Sequence, residues 1–281
     1  MNQNIFIVIV IYKINISDCI TLKSILCAEH INNINVLIYD NSPTDNKVDF
    51  DFFLKNNKSN YLDFIYYSDK ENPGVSKAYN YAASIAKKMQ YDWILILDQD
   101  SKLPTNTFKE YKNCILCFPE ISVIAPMLVS NKSIISPSIF KYRRGFLPNK
   151  IFPGIQSLKR FSPLNSGLMI RLNLYLSVDG YNENVPLDYS DFAFIEKIKK
   201  VVNIFYLLPI KFEHKLSVFE KKSFESSIFR FMCLCKGSLN SCLTNLDFFY
   251  TYLMLFRRAS ALTIRYKNFI FYKIIFNHDS Y

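Results

Sequence analysis

The chain of 281 residues lacks any hydrophobic run long enough to cross a bilayer, since strictly apolar stretches such as Ile5 to Ile11 fall well short of the roughly 20 residues a spanning helix needs. No charged segment with a small-residue cleavage site opens it, so neither a spanning nor a secreted protein is expected. Glycine is scarce, with six residues and none before Gly74, which excludes a Gly-rich phosphate loop in the N-terminal part. Seven cysteines are an odd number without framework spacing, and reduced thiols in a cytosolic setting are expected. Cys114 and Cys117 form a CxxC with no second pair and no nearby histidine, which reads as helix packing.

What is present belongs to a chain that buries a core: 50% hydrophobic residues against 21% charged, which excludes disorder, collagen and coiled coil. The net charge of +10 is uneven, because residues 211–281 carry 11 Lys and Arg against 5 Asp and Glu. This tail also interleaves Phe and Tyr with its cations, among them Phe256, Arg257, Arg258, Tyr266 and Lys267. Anionic lipid headgroups or a nucleic acid both fit such a pattern, as does a compositional bias toward Lys, Asn, Ile and Phe with no partner at all.

Short β-branched runs alternate with amphipathic stretches over the first 130 residues, the sign of βα units around a mostly parallel sheet. Strands are expected at Ile5 to Ile11, Asn35 to Tyr39, Asp63 to Tyr67, Trp93 to Leu97 and Ser122 to Pro126, with helices over 17–30, 75–90 and 105–116. The proline-bearing stretch 130–163 reads as a long mobile loop. A strand from Gly167 to Ile170, a helix over 171–177, a turn at Asp179-Gly180, a helix over 188–201 and a strand from Ile204 to Leu208 follow. Residues 223–276 read as helical throughout, and there is no internal repeat.

The strongest local feature is Trp93-Ile94-Leu95-Ile96-Leu97-Asp98-Gln99-Asp100-Ser101. An apolar strand delivers two carboxylates to its C-terminal end, where open α/β sheets place ligands. Asp98 and Asp100, two positions apart on a turn, can offer oxygens to one hard divalent cation. The same pattern serves as a solvated turn, and it is similar to the haloacid-dehalogenase phosphatase signature, in which Asp98 would be a nucleophile.

Three groups then follow in order: Tyr39-Asp40-Asn41-Ser42, Asn72-Pro73-Gly74 before a helix carrying Asn80, and Asp98-Gln99-Asp100. Beyond the loop come Asn165-Ser166-Gly167, Val178-Asp179-Gly180-Tyr181-Asn182-Glu183, Asp188-Tyr189-Ser190-Asp191 and His214. This ordered series, over about residues 5 to 216, resembles inverting glycosyltransferases of family two, in particular the rhamnosyltransferase-like branch. The resemblance implies a GT-A type α/β fold with a mostly parallel mixed central sheet over residues 1–220, and a helical basic tail over 221–281.

It further implies that Asp40 hydrogen-bonds the nucleobase of a nucleotide-sugar donor and that Asn72 and Gly74 shape the floor beneath it. Asp98, Asn165 and Gly167 join the donor site. Asp100 and His214 hold Mg²⁺ or Mn²⁺, and Asp191 is the general base. From the residues alone, Asp40 and Asn72 also fit turn formation, His214 a satisfied histidine, and Asp191 a helix cap. The sequence departs from the family at Ile11-Tyr12-Lys13, Pro186-Leu187 and Lys197.

The implied activity moves a sugar, rhamnose from a deoxythymidine diphosphate (dTDP-rhamnose), to a surface-polysaccharide or lipid-linked acceptor. It places the protein in the cytoplasm at the inner face of the membrane, with no nucleic-acid partner. A sugar nucleotidyltransferase would share the sheet but needs the missing Gly-rich loop. The rivals are the phosphatase using Asp98 and a basic membrane or nucleic-acid binding module.

Overall fold

The computed structural model describes residues 4–29, 34–214 and 223–277. Thirteen strands and nine helices are found among them. In chain order they are β1 (Ile5–Ile11), α1 (Ile20–Leu26), β2 (Ile34–Asp40), α2 (Lys47–Asn56), β3 (Leu62–Ser68), α3 (Val75–Lys88), β4 (Trp93–Asp98), β5 (Ser101–Lys102) and α4 (Thr107–Cys117). Next come β6 (Val123–Ser130), β7 (Ser133–Ser136), β8 (Ser138–Lys141), β9 (Arg144–Phe146), β10 (Gly154–Ser157), β11 (Phe161–Ser162), β12 (Leu168–Arg171), α5 (Leu172–Ser177) and α6 (Ser190–Ile198). The chain continues with β13 (Ile204–His214), α7 (Phe224–Asn240), α8 (Asn245–Tyr266) and α9 (Ile270–Phe276).

The main sheet runs β10-β13-β6-β12-β4-β1-β2-β3, with β5 and β7 attached at β13 and β6. Pairs β4-β1, β1-β2, β2-β3 and β13-β6 are parallel, while β12 runs antiparallel between β4 and β6. This is the expected mixed, mostly parallel sheet. The central strands are apolar throughout because both faces are covered. Phe6, Val8 and Val10 of β1 face the core under α3, α5 and α6, whereas Ile7, Ile9 and Ile11 face α1, α2 and α4. On α3 the buried stripe is Ala78, Tyr79, Ala82, Ala83 and Ala86, and its alanines let the helix sit close to the sheet.

Several expectations are corrected. The stretch 130–163 is no loop: β6 extends to Ser130 and pairs with β7, β10 pairs with β13, and β11-β8-β9 form a separate three-stranded sheet. Residues 47–56, to which the sequence pattern assigns no element, form α2, which buries Phe50 and Phe53. The helix expected over 17–30 is a 3₁₀ turn at Ile16–Asp18 followed by the two-turn α1, and His30 lies outside the described residues. β13 runs on to His214 rather than ending at Leu208. Cys114 and Cys117 lie on α4, the first buried and the second exposed, with both thiols free, as helix packing requires.

The tail, expected to be helical throughout, is three helices. α7, α8 and α9 share a core of their own, with Phe231, Cys235, Leu255, Ala259, Phe271 and Ile274. The tail also packs on the rest of the molecule. Gly237 of α7 comes so near residues 185–188 that a Cβ there would lie 2.6 Å from the Asp188 carbonyl oxygen. Arg143, in the β8–β9 turn and only 7% exposed, reaches into the tail. Its Nη2 donates to the Ser238 carbonyl at 3.1 Å and its Nε to Thr251 Oγ1 at 3.3 Å. Its guanidinium lies over the Tyr189 ring, 5.1 Å from the centroid, and the Tyr189 hydroxyl donates to the Arg143 carbonyl.

Candidate active site

A cleft of about 900 Å³ opens at the C-terminal ends of β1 and β4. One wall carries the acidic turn. β4 ends at Asp98, whose Oδ1 accepts from the Tyr79 hydroxyl at 3.2 Å and whose N–H donates to Ser166 Oγ at 3.2 Å. Burial pushes the Tyr79 hydroxyl well above its ordinary range, so it remains a neutral donor that orients the carboxylate.

The antiparallel pairing of β13 with β5 sets His214 opposite Ser101. Ser101 Oγ lies 2.8 Å from His214 Nδ1 and 2.6 Å from Ser166 Oγ, and the same imidazole nitrogen is 3.4 Å from Asp100 Oδ1. One ligand atom from each of Asp98, Asp100 and His214 falls within 4.8 Å of the others. Two carboxylate oxygens and one imidazole nitrogen suit Mn²⁺ or Mg²⁺, hard cations that complete an octahedron with phosphate or water. The residues present therefore fit a divalent ion.

The floor is made by Asn72, Pro73 and Gly74. Gly74 has φ +96° and ψ 175°, a region essentially reserved for glycine. The next residue, Val75, donates its N–H to the Pro186 carbonyl at 2.7 Å, and Ser76 Oγ donates to the Val185 carbonyl at 2.6 Å. The floor is thereby stitched to the segment that leads into α6.

Asn80 does not face the cleft as a ligand. Its Oδ1 accepts from the Tyr175 hydroxyl and the Tyr181 N–H, and its Nδ2 donates to the Tyr181 carbonyl and Glu183 Oε1, so it anchors the 180–183 turn. Asn165 lines the cleft, held by the Tyr181 hydroxyl at 2.7 Å and donating to Ser190 Oγ at 3.3 Å.

Asp191 is the second residue of α6 and lines the cleft. Tyr189, in the left-handed region at φ 80°, holds the N-cap position of the helix. Burial, with the nearby Asp188 and Asp98 adding to it, pushes the Asp191 carboxyl from 3.8 up to about 7, against the Phe192 N–H that it accepts at 2.7 Å. A carboxylate poised near neutrality suits a general base.

The sign of the stability effect follows. Between pH 4 and 7 the folded chain holds a proton at Asp191 that the unfolded chain has lost, so stability is greatest below pH 4 and declines toward about pH 7. Asp191→Asn removes that dependence. Its unfolding free energy is expected to match wild type near pH 4 and to exceed it by an amount that grows to a plateau above pH 7, on the order of 2–4 kcal/mol. A gap independent of pH would contradict it.

Two of the residues expected in the donor site are not brought to the cleft. Asp40 is fully buried. Its carboxylate accepts from the Ser42 N–H, Asn46 Nδ2 and the Tyr66 hydroxyl, each at 2.8 Å, which ties the turn after β2 to α2 and β3. Gly167 is packed behind the site with φ +83°, where a Cβ would strike the Pro126 ring. Asn41, next to Asp40, does line the cleft. It is 2% exposed, and its Oδ1 has no hydrogen-bond partner among the described residues. Adjacency to Asp40 in an Asp-Asn pair was the only sequence signal for it.

The far wall was not foreseen. Phe229, Arg230, Met232 and Cys233 of α7 line the cleft, and Arg230 forks onto Asp188, with Nε donating to Oδ2 at 2.8 Å and Nη2 to Oδ1. Asp188 is thus committed to a cation from the tail, whereas Asp191 is not. The tail is part of the site's enclosure.

Residues 13–111 match the family described as Glycosyl transferase family 2. Among solved structures, S. aureus TarS 1–349 is similar with a TM-score of 0.57 at 15% identity, over 84% of this chain and 64% of that one. The same protein in complex with UDP-GlcNAc has a TM-score of 0.57 at 17% identity, over 86% and 68%. The mannosyltransferase PcManGT from Pyrobaculum calidifontis, in complex with GDP-Man and Mn²⁺, has a TM-score of 0.58 at 12% identity, over 85% and 64%. The chain thus spans about two thirds of the length of these neighbours, and at such identities the likeness is one of fold, the GT-A type. No curated protein matches the sequence.

Proposed function

We propose that the chain is an inverting glycosyltransferase of the family-two, GT-A type that moves a sugar from a nucleoside diphosphate to a hydroxyl acceptor. One observation carries this reading: a single cleft holds the Asp98, Asp100 and His214 cluster on one wall and Asp191, poised near neutrality, on another. The nucleotide sugars in the neighbours' complexes, UDP-GlcNAc and GDP-Man, support a donor of the same class. The ordered motif series supports rhamnose carried by deoxythymidine diphosphate, with a glycan or lipid-linked acceptor.

Asp98, Asp100 and His214 would hold Mg²⁺ or Mn²⁺, which supplies positive charge against the departing diphosphate. Tyr79 fixes the Asp98 carboxylate, and Ser101 fixes the imidazole ring. At the other end of the donor site, Tyr12, 40% exposed and lining the cleft, offers a ring face for a base. Asn41 Oδ1 offers an acceptor to the imide N–H of thymine or uracil, the role first expected of Asp40. Asp191 takes the proton from the acceptor hydroxyl as that oxygen attacks the anomeric carbon, and the diphosphate departs from the opposite face. Attack from that side inverts the configuration. The α7 wall and the Asn72–Gly74 floor exclude water from the sugar.

The phosphatase reading is not favoured, since Asp98 is held by Tyr79 in a family-two setting rather than standing at the first strand of its domain. A binding module without chemistry does not account for the Asp191 environment.

The test is a thermal-shift screen of nucleotide sugars with and without Mn²⁺. A donor at about 100 times its dissociation constant stabilises by about 2.7 kcal/mol, and the shift should require the metal. Asp100→Asn is expected to abolish the metal-dependent part while leaving the ligand-free melting temperature within a degree or two, because an isosteric amide suits a half-buried turn. Equal donor shifts with and without Mn²⁺ in the wild-type protein would refute the metal assignment.

A further inference from the structure

α8 carries an apolar stripe that no other described residue covers. Leu246, Phe249, Leu253 and Ile264 are 61%, 62%, 59% and 79% exposed, and with Phe256 they recur at intervals of three, four, three and eight. On a helix of 3.6 residues per turn these positions fall on one face. Phe276 of α9 extends it, 66% exposed and with its ring centroid 5.9 Å from that of Phe256. The opposite side of α8, with Thr251, Leu255, Ala259 and Leu262, is buried in the tail core, so this is the outer face of a packed helix and not an unfinished core.

Its surroundings are basic. Arg257 is exposed beside the stripe, Arg258 and Arg265 are exposed on the neighbouring flank of α8, and exposed Lys267 and Lys273 follow. The sole acidic residue from Asn245 to Asn277 is Asp247, engaged in the capping box at the start of α8. No described helix is long and apolar enough to cross a membrane.

We propose that this face of α8, continued by Phe276, docks on an anionic lipid surface, with the apolar stripe entering the interface and the arginines and lysines meeting the headgroups. An amphipathic helix with aromatic and aliphatic residues on one side and cations at its edge lies in the interfacial plane. Charge decides against a second copy of the chain as occupant. A two-fold contact between identical stripes would bring Arg257, at the stripe's border, toward its own counterpart with no carboxylate from Asn245 to Asn277 but the capping Asp247, whereas an anionic surface complements these cations. The proposal goes beyond sugar transfer and stands or falls apart from it, since vesicle binding needs no donor.

The experiment is vesicle co-sedimentation of the full chain, using phosphatidylcholine with about 30% phosphatidylglycerol beside pure phosphatidylcholine. Wild type should bind the anionic vesicles at about 0.1 M salt and lose most of that binding at about 0.5 M, where charge is screened within a few ångströms. Combining Phe249→Ser, Leu253→Ser and Ile264→Ser should weaken binding at least about tenfold with little change in melting temperature, because these side chains are mostly exposed. Should that variant fail to fold, combining Arg257→Gln with Arg258→Gln, which touches no core residue, should give a loss of similar direction.

Three outcomes would overturn the proposal: no wild-type binding to anionic vesicles, equal binding to pure phosphatidylcholine, or folded variants that bind as wild type does. So would a wild-type dimer in light scattering that the serine substitutions dissociate, since a second copy would then own the face.

Discussion

Asp191→Asn is expected to lower single-turnover sugar transfer by about 10² to 10⁴ while leaving donor affinity nearly unchanged, because a base acts on the acceptor proton only in the transition state. Position and environment both support the assignment. The N-cap position belongs to Tyr189, whose side chain makes no capping hydrogen bond, and the Asn variant keeps a side-chain oxygen for the Phe192 N–H. The raised pKa of about 7 adds a pH signature: wild-type transfer should climb about tenfold per pH unit below neutrality and level off above it, and the Asn variant should show no such limb. Asp188→Asn is not an innocent comparison. It loosens the fork from Arg230, leaves a cation short of its partner, and should lower the melting temperature as well as the rate. Transfer by Asp191→Asn within about threefold of wild type, far inside the loss expected for a base, would end the assignment.

Gly74→Ala should have the largest effect on stability. The backbone there sits where a side chain costs about 1–3 kcal/mol, and the new methyl would lie 2.3 Å from the Pro186 carbonyl oxygen. That oxygen is the acceptor of the Val75 N–H and belongs to backbone, so it cannot swing aside. Overpacking of this kind adds about 1–3 kcal/mol, and the sum, about 2–6 kcal/mol, is comparable to the whole stability of a marginal domain. Chemical denaturation should show the loss, and any folded fraction should bind donor weakly because the floor has moved off the α6 entry segment. An alanine variant within about 1 kcal/mol of wild type would mean that the floor yields easily.

The central sheet was legible because its strands are buried on both faces and therefore read as unbroken apolar runs, as in Ile5–Ile11 and in β4 up to Leu97. Strands β7 to β11 were not. With two to four residues each, they are too short to display a period of two, and their prolines looked like the punctuation of a loop. α2 hid for a related reason: only Phe50 and Phe53 are buried, and two anchors do not make a stripe. In the site, the acidic turn and the Asp188 to Asp191 segment could be read from spacing. The roles of Asp40 and Asn41 could not, since neighbouring residues differ in which one the turn points inward. Arg230 was unreadable because its partner, Asp188, lies 42 residues away, and no local pattern carries a contact at that separation.

Arg143 bears on how freely parts of this molecule could be exchanged. Its guanidinium is anchored by a carbonyl and hydroxyls that belong to the tail, although the residue itself lies in the β8–β9 turn. The hairpin and the tail are therefore a matched pair, like a key cut for one lock. A chimera that took a new tail but kept this hairpin would strand a buried cation, and one that took a new hairpin would leave the tail's acceptors unanswered. Grafting of either part should preserve the fold only when residues 138–146 and 223–277 travel together.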